Sequence, residues 1–224
     1  MTMPTTESAN NQTPKRLTLS VLIIIALLLG IAANLFLTST TNDATKVIPI
    51  QLSSGTLISN PRPLLDFSLQ DHAGKAFTQE SIKGSWHLLT FGYTHCPDIC
   101  PTTLAMLAQM DDQLSKHDPK PVIDIDFITI DPQRDTAETL ANYMPYFNKT
   151  FIGVTGKTEE LNKLTRQLGI LYARVEADGS QLDYLMDHSS SIILINPQGG
   201  FQAIFSAPHD AALMAEDLLK ITTR

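Results

Sequence analysis

From residue 57 onward, apolar and polar positions form two repeating patterns: short apolar runs bounded by turn residues, and longer segments with apolar residues three or four positions apart. The first pattern predicts buried strands and the second predicts amphipathic helices. The predicted strands are residues 65–69, 76–78, 86–91, 121–130, 151–154, 189–195 and 201–205. The predicted helices are residues 101–114, 136–146, 158–168 and 210–221. This alternation, with a late hairpin turn at 196–200, predicts an α/β fold in which helices flank a mixed central sheet.

The N-terminus has a different pattern, because residues 17–37 form a run of 21 residues without a charge. As a helix, a run of that length spans the hydrocarbon core of a bilayer. Lys15 and Arg16 precede the run, and basic residues stay on the cytoplasmic side. A cleaved signal peptide is the alternative, but the apolar run continues past the small residues at 32–33 to Leu37.

The apolar run therefore predicts a cytoplasmic segment at 1–16 and one transmembrane helix at 17–37. A polar tether at 38–56 and one folded domain at 57–224 would follow. The simplest location is a bacterial inner membrane that is crossed once, with the C-terminal domain in the periplasm. The net charge of -7 and the lack of a clustered Lys/Arg face argue against nucleic acid as a partner.

Both cysteines of the chain lie in the run Cys96-Pro97-Asp98-Ile99-Cys100-Pro101, directly after the predicted strand 86–91. Such a pair can form a disulfide, bind a soft metal ion, or alternate between the two. Because each cysteine precedes a proline, we expect neither to lie within a regular helix. Pro101 suits the first helical position, where the helix dipole would favour the thiolate of Cys100.

Two sulfur ligands leave the coordination shell of a metal ion incomplete, so a third ligand has to come from elsewhere in the chain. His188 is the best candidate because it lies at the mouth of a predicted central strand, although an isolated loop histidine is more often a surface residue. Asp187 could fix the ring of His188 from outside the ligand set, or it could be a turn residue. Asp98 could tune the two thiolates, or it could be a carboxylate near a helix N-terminus.

Three sequence runs, taken together, resemble the Sco/SenC family of copper-binding assembly proteins: FGYTHCPDICPTTL at 91–104, DPQRDT at 131–136 and DHSS at 187–190. The resemblance implies a thioredoxin-like domain that is tethered to the membrane and binds one copper ion through Cys96, Cys100 and His188. It also implies a role in building the dinuclear copper centre of cytochrome c oxidase, by delivering copper, by reducing its cysteines, or both. The implied partners are the copper-bearing subunit of the oxidase and a periplasmic copper donor or thiol reductase.

Two enzymatic functions compete with that of a copper chaperone. A thiol-disulfide oxidoreductase would use Cys96 and Cys100 as a redox disulfide without metal, and a thiol peroxidase would use one activated cysteine. Fold class alone does not separate them. The three residues between the cysteines and the distant His188 favour a metal site, so we expect a copper chaperone rather than an enzyme.

Overall fold

The computed structural model of the protein describes residues 13–39, 51–176 and 184–223. The chain divides into two compact units, Met1–Pro49 and Ile50–Arg224. In the first unit, helix α1 covers Thr13–Ser39 and therefore includes the helix predicted at 17–37. Within the described residues, no helix is long and apolar enough to cross a membrane. The membrane-spanning part of the prediction is not confirmed, and most of the predicted tether, residues 40–50, lies outside the described residues.

The second unit is built on an eight-stranded mixed sheet and a separate two-stranded hairpin. In chain order the strands are β1 (Gly55–Leu57), β2 (Ser68–Asp71), β3 (Ala76–Thr78), β4 (Trp86–Gly92), β5 (Ile123–Thr129), β6 (Ile152–Thr155), β7 (Tyr172–Glu176), β8 (Tyr184–His188), β9 (Ile192–Ile195) and β10 (Phe201–Phe205). The sheet order is β1-β10-β9-β4-β5-β6-β2-β3, and β7 pairs with β8 in a second sheet. Strands β4, β5 and β6 are parallel neighbours, whereas the other pairs are antiparallel. The predicted mixed sheet is thus confirmed.

Among the described residues of this unit, four helices accompany the sheet: α2 (Ile99–Leu114), α3 (Ala137–Tyr143), α4 (Thr158–Leu168) and α5 (Ala211–Thr222), with a 3-10 turn at Met144–Tyr146 after α3. The buried side of α2 carries Leu104, Leu107, Met110 and Leu114, as the sequence pattern predicts. However, α2 begins two residues before Pro101, so Cys100 lies in its first turn. The expectation that Cys100 stays off a regular helix was wrong, because the first backbone N–H groups of a helix have no partner and a proline among them costs no hydrogen bond.

Asp217 on α5 anchors the start of the folded unit. Its buried carboxylate accepts hydrogen bonds from the backbone N–H groups of Ser53 at 2.9 Å and Ser54 at 2.7 Å. Burial alone would raise the pKa of Asp217, but these bonds and one from Lys220 together lower it below its usual value. The folded unit therefore reaches at least to Ser53, a few residues before the boundary predicted at 57.

The hairpin of β7 and β8 carries His188 at its end, where the residue pairs with Tyr172. The predicted strand at 189–195 is shorter in the structure, because β9 begins only at Ile192. His188 therefore ends a peripheral strand and does not lie at the mouth of a central one. The position of His188 beside the cysteines therefore depends on how the β7–β8 hairpin is held.

Candidate metal centre

The cysteine segment joins the end of β4 to the start of α2, at one end of two adjacent parallel strands. Gly92, the last residue of β4, is closely covered by the segment that follows. A Cβ atom at this position would lie 2.7 Å from Cys100 Sγ and 2.8 Å from Cε2 of Phe127. The absence of a side chain at Gly92 therefore creates the space that the Cys100 sulfur occupies.

The two cysteines are both free, but they differ in exposure. Cys100 is 3% exposed, whereas Cys96 is half-buried. The sulfur of Cys96 accepts a hydrogen bond from the backbone N–H of Cys100, with 3.4 Å between the two atoms. Cys96 is thus the hydrogen-bond acceptor for a backbone N–H in the first turn of α2. Asp98 is the N-cap residue of this helix, but its side chain makes no capping hydrogen bond to any described residue. Asp98 is exposed, and its role in tuning the thiolates stays a prediction.

Burial raises the pKa of the Cys100 thiol above its ordinary value. A hydrogen bond with Cys96 raises it further, while a backbone hydrogen bond from Tyr93 acts in the opposite direction. The sequence led us to expect a thiolate favoured by the helix dipole, whereas burial of the sulfur favours the protonated thiol. Without a metal ion, Cys100 is therefore a protonated thiol, and metal binding has to release its proton.

His188 faces the sulfur of Cys100 with one ring nitrogen and the backbone of Ser189 with the other. The distance between His188 Nε2 and Cys100 Sγ is 3.6 Å. His188 Nδ1 lies 3.1 Å from the carbonyl oxygen of Ser189. Since a carbonyl oxygen can only accept, Nδ1 carries the hydrogen and Nε2 presents its lone pair toward the sulfur. Imidazole in this tautomer is ready to bind a metal ion through Nε2.

Asp187 does not take the position that the sequence suggested for it. Its side chain is exposed, and successive side chains of a strand point to opposite faces, so it points away from the ring of His188. Among the described residues, Ser189 and not Asp187 is the hydrogen-bond partner of His188 Nδ1. The ring is oriented by a backbone carbonyl, which no side-chain motif reveals.

The segment Asp131–Asp135 holds the His188 hairpin beside the cysteines. Tyr184, at the start of β8, donates a hydrogen bond from its hydroxyl group to Asp131 Oδ1 at 2.7 Å. Arg134 donates from Nη1 to the backbone oxygen of Tyr184 at 3.1 Å, and its guanidinium group lies 3.6 Å from the centre of the Tyr184 ring. Arg134 also bonds to Asp131 through Nε. This group of contacts fixes the strand that carries His188.

Asp135 fixes the other half of the site. Its buried carboxylate accepts hydrogen bonds from the backbone N–H of Thr94 at 2.9 Å and the hydroxyl group of Thr129 at 2.7 Å. Thr94 lies two residues before Cys96, so Asp135 ties the cysteine segment to the end of β5. From the sequence, this segment was recognised only as part of a resemblance. Asp131, directly after the predicted strand, and Asp135, four residues later, are the sequence signal that would indicate a structural role.

The three predicted ligands are neighbours, but they do not form a closed site in this conformation. In the described part of the chain, no group of three or more His, Cys, Asp or Glu side chains is arranged to hold a metal ion. The Cys100 thiol and the His188 imidazole are already adjacent, with Cys96 hydrogen-bonded to Cys100. Two thiols and one imidazole are a donor set that suits copper or zinc.

Comparison with known proteins identifies the family. The SCO1/SenC family profile matches residues 58–223. This chain belongs to the SCO1/SenC family. A SCO2-like protein of Rickettsia felis is 37% identical over 185 residues, which are 82% of this chain and 87% of the relative. The resemblance found in the sequence is thus confirmed.

Solved structures of the SCO1/SenC family agree with this fold. Arabidopsis thaliana ScoI with copper bound has a TM-score of 0.66 and 34% identity, over 71% of this chain and 97% of that chain. Bradyrhizobium japonicum ScoI with copper bound has a TM-score of 0.63 and 34% identity, over 71% of this chain and 99% of that chain. The predicted thioredoxin-like architecture is consistent with both likenesses.

Proposed function

We propose that this protein is a membrane-tethered copper chaperone that binds one copper ion through Cys96, Cys100 and His188. Its task would be to assist assembly of the dinuclear copper centre of cytochrome c oxidase, by delivering copper, by reducing cysteines, or both. The partners would be the copper-bearing oxidase subunit and a periplasmic copper donor or thiol reductase.

One observation carries the proposal: Nε2 of His188 lies 3.6 Å from the sulfur of Cys100, with Nδ1 already bound by a carbonyl group. Thiol-disulfide exchange between Cys96 and Cys100 can proceed without an imidazole, which would serve at most as a base for the buried thiol. A copper carrier gains from one, because imidazole and thiolate together suit both oxidation states of copper. Closure of Cys96 onto the Cys100–His188 pair would complete a three-ligand site.

Copper titration of the full-length chain in detergent tests the proposal. Under anaerobic conditions, we expect the reduced protein to bind one Cu(I) per chain in competition with a chromophoric chelator. Oxidising Cys96 and Cys100 to a disulfide removes both thiolates, so the oxidised protein is the matched control and should bind none. Equal Cu(I) binding by the reduced and oxidised forms would refute the assigned ligands.

The difference in exposure between the cysteines favours a second function, reduction of a partner disulfide. The half-buried Cys96 would attack the disulfide as a thiolate and form a mixed disulfide, releasing one partner thiolate. The thiolate released from the partner would take the proton of the Cys100 thiol, and the Cys100 thiolate would then attack the Cys96 sulfur, releasing the second partner sulfur as a thiolate and leaving a Cys96–Cys100 disulfide. The partner gains two electrons, and a thiol reductase must restore the dithiol. Rapid reduction of an oxidised peptide from a copper-binding subunit by copper-free protein would support this function.

For the N-terminal unit we propose that residues 17–37 anchor the protein in the bacterial inner membrane, with the folded unit in the periplasm. The support is the uncharged run after Lys15 and Arg16. We expect the intact protein in the membrane fraction after a carbonate wash, and activity of a periplasmic reporter fused after Thr45. A soluble periplasmic form that begins near Asn34 would show that the segment is cleaved.

A further inference from the structure

His87 and Asp126 form a buried polar pair at the opposite end of β4 from the cysteine segment. His87 is the second residue of β4, and Asp126 lies on the neighbouring strand β5. Asp126 is fully buried, and His87 is 5% exposed. His87 Nδ1 lies 2.7 Å from Asp126 Oδ2, whereas the other carboxylate oxygen is buried without a partner among the described residues. A buried charge costs free energy unless it is paired, so the protonation of this pair affects stability.

Hydrogen bonds around the second ring nitrogen show how many protons the pair holds. The Ser85 hydroxyl group lies 2.9 Å from Asp124 Oδ2 and 3.1 Å from His87 Nε2. Since a carboxylate only accepts, the single Ser85 hydrogen goes to Asp124, and Ser85 Oγ accepts from His87 Nε2. Nε2 therefore carries a hydrogen, and the short contact between Nδ1 and Asp126 needs a second one. The pair thus holds one proton more than a neutral imidazole beside a carboxylate.

This protonation excludes two other roles for the cluster. Ser85, His87 and Asp126 are in contact in the order of a hydrolytic triad, and a metal ion could use Nε2 as a ligand. Both roles need a lone pair on Nε2, but that nitrogen carries a hydrogen and donates it to Ser85. The cluster is therefore a store for one proton, not a base or a metal ligand.

The strands around the pair bring negative charge to it. Asp124 on β5 and Asp71 at the end of β2 are the charged groups that act on it. The other neighbours are uncharged: the ring centroid of Phe77 on β3 is 6.4 Å from that of His87, and Ile195 on β9 pairs with His87. Among the described residues, no Lys or Arg forms an ion pair with either carboxylate of β5. The proton of the pair is therefore what offsets its buried negative charge.

The folded unit binds this proton more tightly than the unfolded chain does. Burial lowers the pKa of His87, but the hydrogen bond with Asp126 and the charges of Asp126 and Asp124 outweigh burial and raise it. Burial raises the pKa of Asp126, while the bond to His87 acts in the opposite direction. In an unfolded chain, histidine loses its proton at about pH 6.5. Above that pH, the folded unit holds a proton that the unfolded chain has released.

We propose that His87 and Asp126 are a pH-sensitive device in the fold, which stabilises the folded unit while the pair holds one proton and weakens it when that proton is lost at alkaline pH. The stabilisation is fully present below the unfolded pKa of histidine and is lost as the pH rises through the higher folded pKa. Loss of the proton leaves the Asp126 carboxylate beside a neutral imidazole and removes one hydrogen bond of the ring. Because the pair lies at the far end of β4, the device works with or without copper.

Replacing both residues by leucine provides the reference, because the double variant removes both titrating groups and leaves no unpaired charge. Urea unfolding of the reduced, copper-free full-length protein is measured from about pH 6 to about pH 9. Relative to His87→Leu/Asp126→Leu, the unfolding equilibrium constant of the wild type should rise up to about tenfold per pH unit above about pH 6.5, as expected for release of one proton. His117→Ala, which removes an exposed histidine, should keep the wild-type slope.

The single variants separate the pair from its members. His87→Leu leaves a buried carboxylate without a partner, so it should be less stable at pH 7 than the double variant and should regain stability as the pH falls and Asp126 takes up a proton. Asp126→Asn leaves burial to act on His87 without the carboxylate, so the ring should lose its proton at a lower pH than an exposed histidine does.

NMR of the wild-type protein with labelled histidine follows the proton without relying on a variant that folds. The His87 ring, assigned by its proximity to Phe77, should change its chemical shifts only above about pH 6.5. In Asp126→Asn, the transition of the same signal should move below that value. A His87 transition at or below about pH 6.5 in the wild type would overturn the proposal. The same pH slope of unfolding in the wild type and the double leucine variant would also overturn it.

Discussion

Replacing Cys96 or Cys100 with serine should abolish tight Cu(I) binding by the full-length protein. A serine hydroxyl group is a hard, neutral donor at pH 7, whereas Cu(I) prefers thiolate sulfur, and one remaining thiolate with one imidazole holds the ion poorly. The loss should exceed that of any other single substitution at the site. Anaerobic competition titration of both single variants and the double variant measures it.

The two serine variants should differ in stability, which separates ligand loss from unfolding. Cys100 is almost fully buried, so Cys100→Ser places a hydroxyl group in a space shaped for sulfur, whereas Cys96→Ser changes a half-buried position. We expect the lower unfolding midpoint for Cys100→Ser and loss of Cu(I) binding for both. Ile99→Val, an exposed substitution between the two cysteines, is the control that should keep both properties. Tight Cu(I) binding by the double serine variant would contradict the assigned ligands.

Elements with strong local signals were predicted from the sequence almost to the residue. Helix α4 matches the predicted 158–168, and it ends at Gly169, whose φ of 69° suits glycine. Helix α5 begins after Asp210, whose carboxylate accepts hydrogen bonds from the N–H groups of Ala212 and Leu213, both at 2.9 Å. In both helices the residues that set the boundary are adjacent in sequence to the helix, so a local pattern is sufficient.

Elements that depend on distant partners escaped the sequence analysis. Strand β1 has three residues and exists because it pairs with β10, far along the chain. The hairpin strand β7 is mostly exposed, so it lacks the alternating burial that indicates a strand. Strand β1 is held by pairing with β10, and β7 is held by pairing with β8, which Tyr184 bonds to Asp131. No window of the sequence contains these contacts.

The candidate site also combines features that the sequence predicts with features that depend on distant contacts. The cysteines were evident from their spacing, and His188 was selected by position and by the resemblance. Its contact with Cys100 joins residues 88 positions apart, and its tautomer is set by the backbone of Ser189. Geometry, not residue type, distinguishes these roles.

Replacing His188 by alanine should separate a copper carrier from a dithiol enzyme. Two thiolates hold Cu(I) well by themselves, whereas the harder Cu(II) ion gains more from imidazole. Because Nε2 already faces the Cys100 sulfur, its loss should lower Cu(II) affinity by more than the roughly 10- to 100-fold that loss of an outer-shell partner costs. Cu(I) affinity should change much less. Competition titrations in each oxidation state, with the Cu(II) absorption spectrum, measure both effects.

Two variants serve as controls for His188→Ala. His117→Ala changes an exposed histidine just after α2 and should leave both affinities at the wild-type level. Asp187→Ala should also have little effect, since the Ser189 carbonyl group and not Asp187 holds the ring. If His188→Ala kept the Cu(II) affinity and spectrum of the wild type, histidine would not be a ligand. The Cys96–Cys100 pair would then act as a dithiol alone, and reduction of a partner disulfide would become the better account of the protein.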